Sequence, residues 1–88
     1  MVSMGGLQPV IVIYDIPNDR IRQKVSEACL DYGLDRVQFS AFQGQMKRSH
    51  QRELMSKIKS LLGRAPGKVQ LIPLSEELWG RRLEVIHE

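Results

Sequence analysis

Pro9-Val10-Ile11-Val12-Ile13-Tyr14-Asp15 is the stretch on which the fold turns. Val10 to Tyr14 are all apolar or aromatic and mostly β-branched, which predicts a strand in the middle of a sheet. Successive side chains of a strand point to opposite faces, so both faces of this one are apolar. A two-layer domain leaves one sheet face to water. Here the second face needs a cover, and another copy of the chain is the simplest candidate.

Outward from that strand, Pro17 and Asn18 form its exit and offer a helix N-cap. Ile21, Val25, Ala28, Cys29 and Tyr32 then fall on one face of an amphipathic helix, and Gly33 suits its C-terminal end. Arg36 to Met46 alternates through Val37, Phe39 and Ala41 until Phe42 breaks the parity. Two short strands or one sharply bent strand fit, with the break between Ser40 and Gly44. Ser49 is expected to cap a second helix with Leu54, Ile58, Leu61 and Leu62 as its buried stripe and Gly63 as its end. After a turn over Arg64 to Gly67, Lys68 to Leu74 reads as a strand with Val69 and Leu71 inward, and Pro73 suits an edge or a bend. Ser75 to Gly80 is expected to be a connector carrying Trp79, and Arg81 to Glu88 a last strand with Leu83 and Val85 on one face.

The order β-α-β-β-α-β describes a ferredoxin-like α+β sandwich. The C-terminal strand, residues 81–88, is surplus to that fold and suits pairing with a partner subunit in a homodimer. The expected organisation is a single domain over residues 1–88, with 1–7 as a flexible extension.

Composition agrees. Eighty-eight residues are too few for two domains and near the lower limit for one core, and 42% hydrophobic residues exclude disorder as the main reading. The single cysteine, Cys29, rules out an intrachain disulfide and suits a reducing cytosol, and with two histidines it cannot build an ordinary structural zinc site. No apolar stretch approaches the roughly 20 residues that cross a membrane. Met1 to Pro9 lacks Lys and Arg and is not expected to act as a signal peptide, so the chain reads as soluble and intracellular. The net charge is +3, and between Gln45 and Lys68 seven basic residues (Lys47, Arg48, Arg52, Lys57, Lys59, Arg64, Lys68) accompany one acid, Glu53. Such clustering suits a polyanion, and equally a solvated helix face.

Asp15 is the most informative candidate for chemistry. A carboxylate where a buried strand meets a loop can hold a hard cation such as Mg²⁺, and two of them across a twofold axis do so better than one. A metal held there activates water or stabilises a phosphodiester transition state. The other reading, which spacing alone favours, is an Asx turn before Ile16-Pro17. Arg20, Arg22 and Lys24 put positive charge in the first turns of a helix, where it is mildly unfavourable, which points to an anionic partner or to ordinary surface charge offset by Asp19. Ser40 can position a water or phosphate, though a bend residue is the simpler reading. Phe39 and Phe42 have the look of a base-stacking pair, but core packing fits them better. His50 and His87 stand alone, Cys29 is expected to be inert core, and no P-loop or dinucleotide-binding glycine pattern is present.

Three blocks carry a resemblance: Ile11-Val12-Ile13-Tyr14-Asp15-Ile16-Pro17 followed by Asp19-Arg20-Ile21-Arg22; Tyr32-Gly33-Leu34 leading into Arg36-Val37-Gln38-Phe39-Ser40-Ala41-Phe42; and Leu71-Ile72-Pro73-Leu74-Ser75-Glu76 with a late Leu83-Glu84-Val85. In this order the chain resembles the CRISPR-associated protein 2 family over nearly everything after Pro9. The resemblance implies a cytoplasmic prokaryotic ferredoxin-like homodimer with exchanged C-terminal strands. It implies a role in CRISPR adaptation, bridging integrase subunits around duplex DNA, with single-stranded RNA a further candidate substrate. It also implies a metal-dependent nuclease, with Mg²⁺ shared between subunits. Asp15 takes the position of the family's metal-binding, catalytic aspartate. Arg20, Arg22 and Arg36 match its basic residues, with Lys47 and Arg48 extending the nucleic-acid-binding set, and Ser40 and Phe42 match its second-strand motif in a supporting role. The family often has Val at Ala41 and Glu at Gln43, so no second acid is available there, and Ser75-Glu76-Glu77 replaces a common Cys. The competing functions are a purely non-catalytic DNA scaffold and a toxin-like ribonuclease of the virulence-associated D type.

Overall fold

The computed structural model describes residues 6–87. Seven elements follow one another: β1 (Gln8–Asp15), α1 (Asp19–Asp31), β2 (Asp35–Gln38), β3 (Ala41–Met46), α2 (Arg48–Leu62), β4 (Lys68–Pro73) and α3 (Glu76–Gly80). The strands form one antiparallel sheet in the order β2-β3-β1-β4, the ferredoxin-like arrangement. β1 is therefore central, as its apolar run requires, and β4 with Pro73 is an edge.

Alternation along β1 sorts the layers. Val10, Val12 and Tyr14 are buried and join one core with Val25, Ala28 and Cys29 of α1, Leu54 and Ile58 of α2, and Phe42 and Met46 of β3. On the other face Ile11 is half-buried and Ile13 exposed, and their cross-strand neighbours on β4 are Ile72 and Gln70, both exposed. Among the described residues no layer covers Ile13, Gln70 and Ile72 on that face.

The ends of the elements follow local chemistry. Asn18 caps α1 by accepting the Ile21 N–H at 2.9 Å. Gly33, at φ 81°, carries the chain out of the helix in a conformation that side chains resist. Gly44 has a different use: a Cβ there would lie 2.6 Å from Leu34 Cδ2, so any side chain would push the buried Leu34 out of its present packing.

Five expectations need correction. The break between β2 and β3 falls at Phe39-Ser40, at the margin of the expected window, and Val37 is an extra residue in the ladder, since Arg36 faces Phe42 and Gln38 faces Ala41. The bulge accounts for the lost parity. Phe39 is 69% exposed rather than core. The second helix starts one residue before Ser49: Lys47 is its N-cap and supplies no side-chain bond. The expected connector after β4 is the short helix α3, with the Ser75 hydroxyl accepting the Leu78 N–H at 3.0 Å. Beyond it residues 82–87 form no strand within the single chain, and Leu83 is 96% exposed, because no strand among the described residues supplies them with ladder hydrogen bonds. Residue 88 and residues 1–5 of the expected N-terminal extension lie outside the described residues; Leu7 is about half exposed and Gln8 is already paired with Met46.

Candidate nucleic-acid interface

One end of the sheet gathers most of the expected site. β1 stops at Asp15, and the β2–β3 turn sits beside it, held by the Tyr14 N–H donating to the Ser40 carbonyl at 3.1 Å. The carboxylate of Asp15 is exposed, on the uncovered face, opposite Lys68 across the β1–β4 ladder. Both line a shallow hollow of about 150 Å³ with Ile13, Tyr14 and Gln70. Among the described residues, Asp15 accepts no hydrogen bond from the amides of the following loop, so its side chain does not close an Asx turn.

Arg22 and Arg36 do the local building. Arg22 donates to the Ile16 carbonyl at 2.8 Å, pairs with Asp19, and so ties the loop after Asp15 to the first turn of α1. Arg36 donates to the Phe39 carbonyl at 2.6 Å and to the Ser26 hydroxyl at 2.8 Å, fixing the hairpin turn against α1. Its guanidinium also lies 5.1 Å from the Phe42 ring centroid. Phe42 is fully buried, so it lies as a floor under Arg36 and offers no surface contact. Ser40 is half-buried in the turn and contributes its backbone carbonyl.

Beneath this cluster lies an unusual polar atom. The Tyr14 hydroxyl is buried without a hydrogen-bond partner, and Ser26 lies nearby without completing one. Burial raises the Tyr14 pKa, and the Arg36 charge opposes that shift. The neighbouring Cys29 thiol is pushed up to about 11 by burial, again with Arg36 opposing, which makes it an inert core thiol as expected.

The remaining expected binders are placed differently. Arg20, Lys47 and Arg48 are exposed, and their side chains make no hydrogen bond or ion pair among the described residues; the same holds for Lys24, Arg52, Lys57, Lys59 and Arg64. Arg20 belongs to the first turn of α1, and Lys47 and Arg48 to the start of α2, so the expected set divides into two engaged arginines and three free cations. Sequence reasoning missed Ser26, a polar residue inside the apolar stripe of α1, and the exposure of Phe39. The first had a signal, a serine beside Val25 and Cys29; the second depended on the bulge at Val37.

Among the described residues no three potential metal ligands cluster. One chain offers a single carboxylate facing an ammonium group, and that does not fit a divalent cation. No helix among the described residues is long and apolar enough to cross a membrane.

A sequence profile described as CRISPR associated protein Cas2 matches residues 8–82. The CRISPR-associated endoribonuclease Cas2 2 of Chloroflexus aurantiacus is 50% identical over 72 residues, covering 82% of this chain and 85% of the relative. A hypothetical protein of Thermus thermophilus has the same fold, with a TM-score of 0.78, 26% identity and 94% of each chain covered. So does a chain in a partial Cas6-RT-Cas1–Cas2 complex, at a TM-score of 0.75 and 21% identity, covering 89% of this chain and 84% of that one. With the three sequence blocks, the fold and a profile that spans every element of the structure in agreement, the chain belongs to the CRISPR-associated Cas2 family.

Proposed function

We propose that this chain works as a homodimeric nucleic-acid-binding subunit in CRISPR spacer acquisition, beside an integrase, and that the dimer cleaves phosphodiesters with a divalent cation shared by two copies of Asp15. The observation that carries the reading is the position of Asp15: exposed, at the end of the central strand, on the sheet face where Ile13 and Ile72 lack a cover. Packing two such faces removes apolar surface from water and brings a second carboxylate to the first. The exposed apolar side chains Leu83, Val85 and Ile86 give the C-terminal segment a reason to add to the partner's β4 edge. The endoribonuclease name of the Chloroflexus relative supports cleavage, and the Cas1-containing complex of a structural relative supports the integrase partner.

The division of labour follows from the chemistry. Arg20, Lys47 and Arg48 are free to meet phosphates and carry no sequence information in doing so. Arg22 and Arg36 hold the Asp15 loop and the hairpin turn in place. A bound divalent cation would supply charge for the transition state and acidify a water.

The test is Asp15→Asn, measured by circular dichroism and by cleavage of RNA and duplex DNA with and without Mg²⁺. The variant keeps the fold and loses Mg²⁺-dependent cleavage. Equal cutting by variant and parent would remove Asp15 from the chemistry. A second reading, a non-catalytic DNA scaffold, is favoured by the lone carboxylate and the free cations; cleavage by neither protein, with duplex binding retained by both, would select it.

A further inference from the structure

Phe39 is a large apolar ring placed where burial should have claimed it. It occupies the tip of the β2–β3 hairpin, 69% exposed, at the same end of the sheet as Asp15. Two guanidinium groups attend it, Arg22 at 5.1 Å and Arg36 at 5.9 Å from the ring centroid. Neither is loose: each is fixed by hydrogen bonds to a backbone carbonyl, Arg22 to Ile16 and Arg36 to Phe39 itself. The ring and both arginines line a hollow of about 280 Å³ together with Asp19, Gln23 and Ser26. That hollow combines an aromatic face, two fixed cations, an exposed carboxamide and a hydroxyl. Ser26, on its wall, lies near the Tyr14 hydroxyl, the one buried side-chain polar atom among the described residues that lacks a partner.

Those are the parts of a subsite for an unpaired nucleobase. A flat, polarisable base stacks on an aromatic ring whatever its identity, and such stacking, with arginine alongside, is how single strands are held without sequence preference. A base inside a duplex presents no free face, so the same ring does nothing for paired DNA. We propose that the hollow beside Phe39 takes an unpaired nucleobase of a single strand, with Phe39 as the stacking platform and Gln23 at the base edge. This rests on the nucleic-acid reading above and deepens it: the strand end carrying Asp15 would meet single-stranded substrate, while the free cations hold paired or unpaired backbone alike.

The experiment uses the full chain and three fluorescent probes of one sequence, a single-stranded RNA, a single-stranded DNA and a blunt duplex DNA, titrated at one fixed salt concentration. Phe39→Ala weakens both single strands on the order of tenfold and leaves the duplex unchanged. Phe39→Trp restores single-strand affinity, and its added fluorescence is quenched by single strands and not by duplex, against the parent's Trp79 signal as background. A loss on RNA alone would place the contact on the 2′-hydroxyl and overturn the stacking account. So would an equal loss on all three probes, which marks a damaged hairpin, or no loss on any. A parent that binds no probe would overturn the nucleic-acid reading itself, whereas binding indifferent to Phe39 overturns only this subsite.

Discussion

Val12 and Ile13 are neighbours on one strand, similar in size and equally apolar, and they live in opposite surroundings. Val12 is fully buried beneath the two long helices, whereas Ile13 is 37% exposed on a face the chain does not cover. The same contrast runs the length of β1, with Val10 and Tyr14 on the covered side and Ile11 and Asp15 on the other. A strand with one working face would read apolar-polar in alternation. This one is apolar on both, and the single chain covers only one of them. Asp15, the residue best placed for chemistry, belongs to the uncovered one.

The sharpest way to break the comparison is to place the same charge on each side. Val12→Asp buries a carboxylate without a partner, at a cost of several kcal/mol that rivals the whole stability of a small domain. It is expected to leave no cooperative thermal transition and little native circular dichroism. Ile13→Asp puts the same group on the uncovered face. The expected result is a native spectrum with a monomer by light scattering where the parent is a dimer, and a change in single-chain stability of about 1 kcal/mol, the range of strand propensities. If Ile13→Asp stays dimeric at micromolar concentration, the uncovered face is not the subunit interface and the pairing of two Asp15 groups fails with it.

The covered side was legible residue by residue and the uncovered side only as an apolar face in need of a cover, for a physical reason. Central placement of β1, the Asn18 cap, the stripe from Ile21 to Tyr32 and the closing glycines are local or periodic signals, fixed by the chain's own backbone chemistry. α3 had a signal too, a capping serine followed by Glu76 and Glu77 in the first turn, but five residues are too short to show a periodic face. The engagement of Arg22 and Arg36 was beyond sequence reading, because the carbonyls they bind, at Ile16 and Phe39, become acceptors only once loop and hairpin are brought to α1. The C-terminal pattern of Leu83 and Val85 was legible, yet residues 82–87 find no strand partner within the described chain.

That engagement refines the smallest expected effect. Six basic residues look interchangeable in sequence, yet Arg22 and Arg36 already hold carbonyl, carboxylate and hydroxyl partners, whereas Arg20, Lys24, Lys47 and Arg48 hold none among the described residues. Binding of duplex DNA should follow that division. Removing one phosphate-binding cation lowers the log–log salt dependence by about 0.9 on B-DNA. Arg20→Ala with Arg48→Ala, present in both subunits, should therefore lower the slope by a few units and leave the melting temperature unchanged. Arg22→Ala or Arg36→Ala should do the reverse. Each frees a buried or half-buried acceptor and loosens the hairpin or the Asp15 loop, so the melting temperature drops, by the equivalent of about 1–3 kcal/mol, while the slope holds. Titrating one duplex at four salt concentrations, beside a thermal melt of each variant, separates the two groups. A slope that falls equally for both pairs would mean the engaged arginines leave their carbonyls for phosphate when DNA arrives, and the site would then be remade on binding rather than waiting for it.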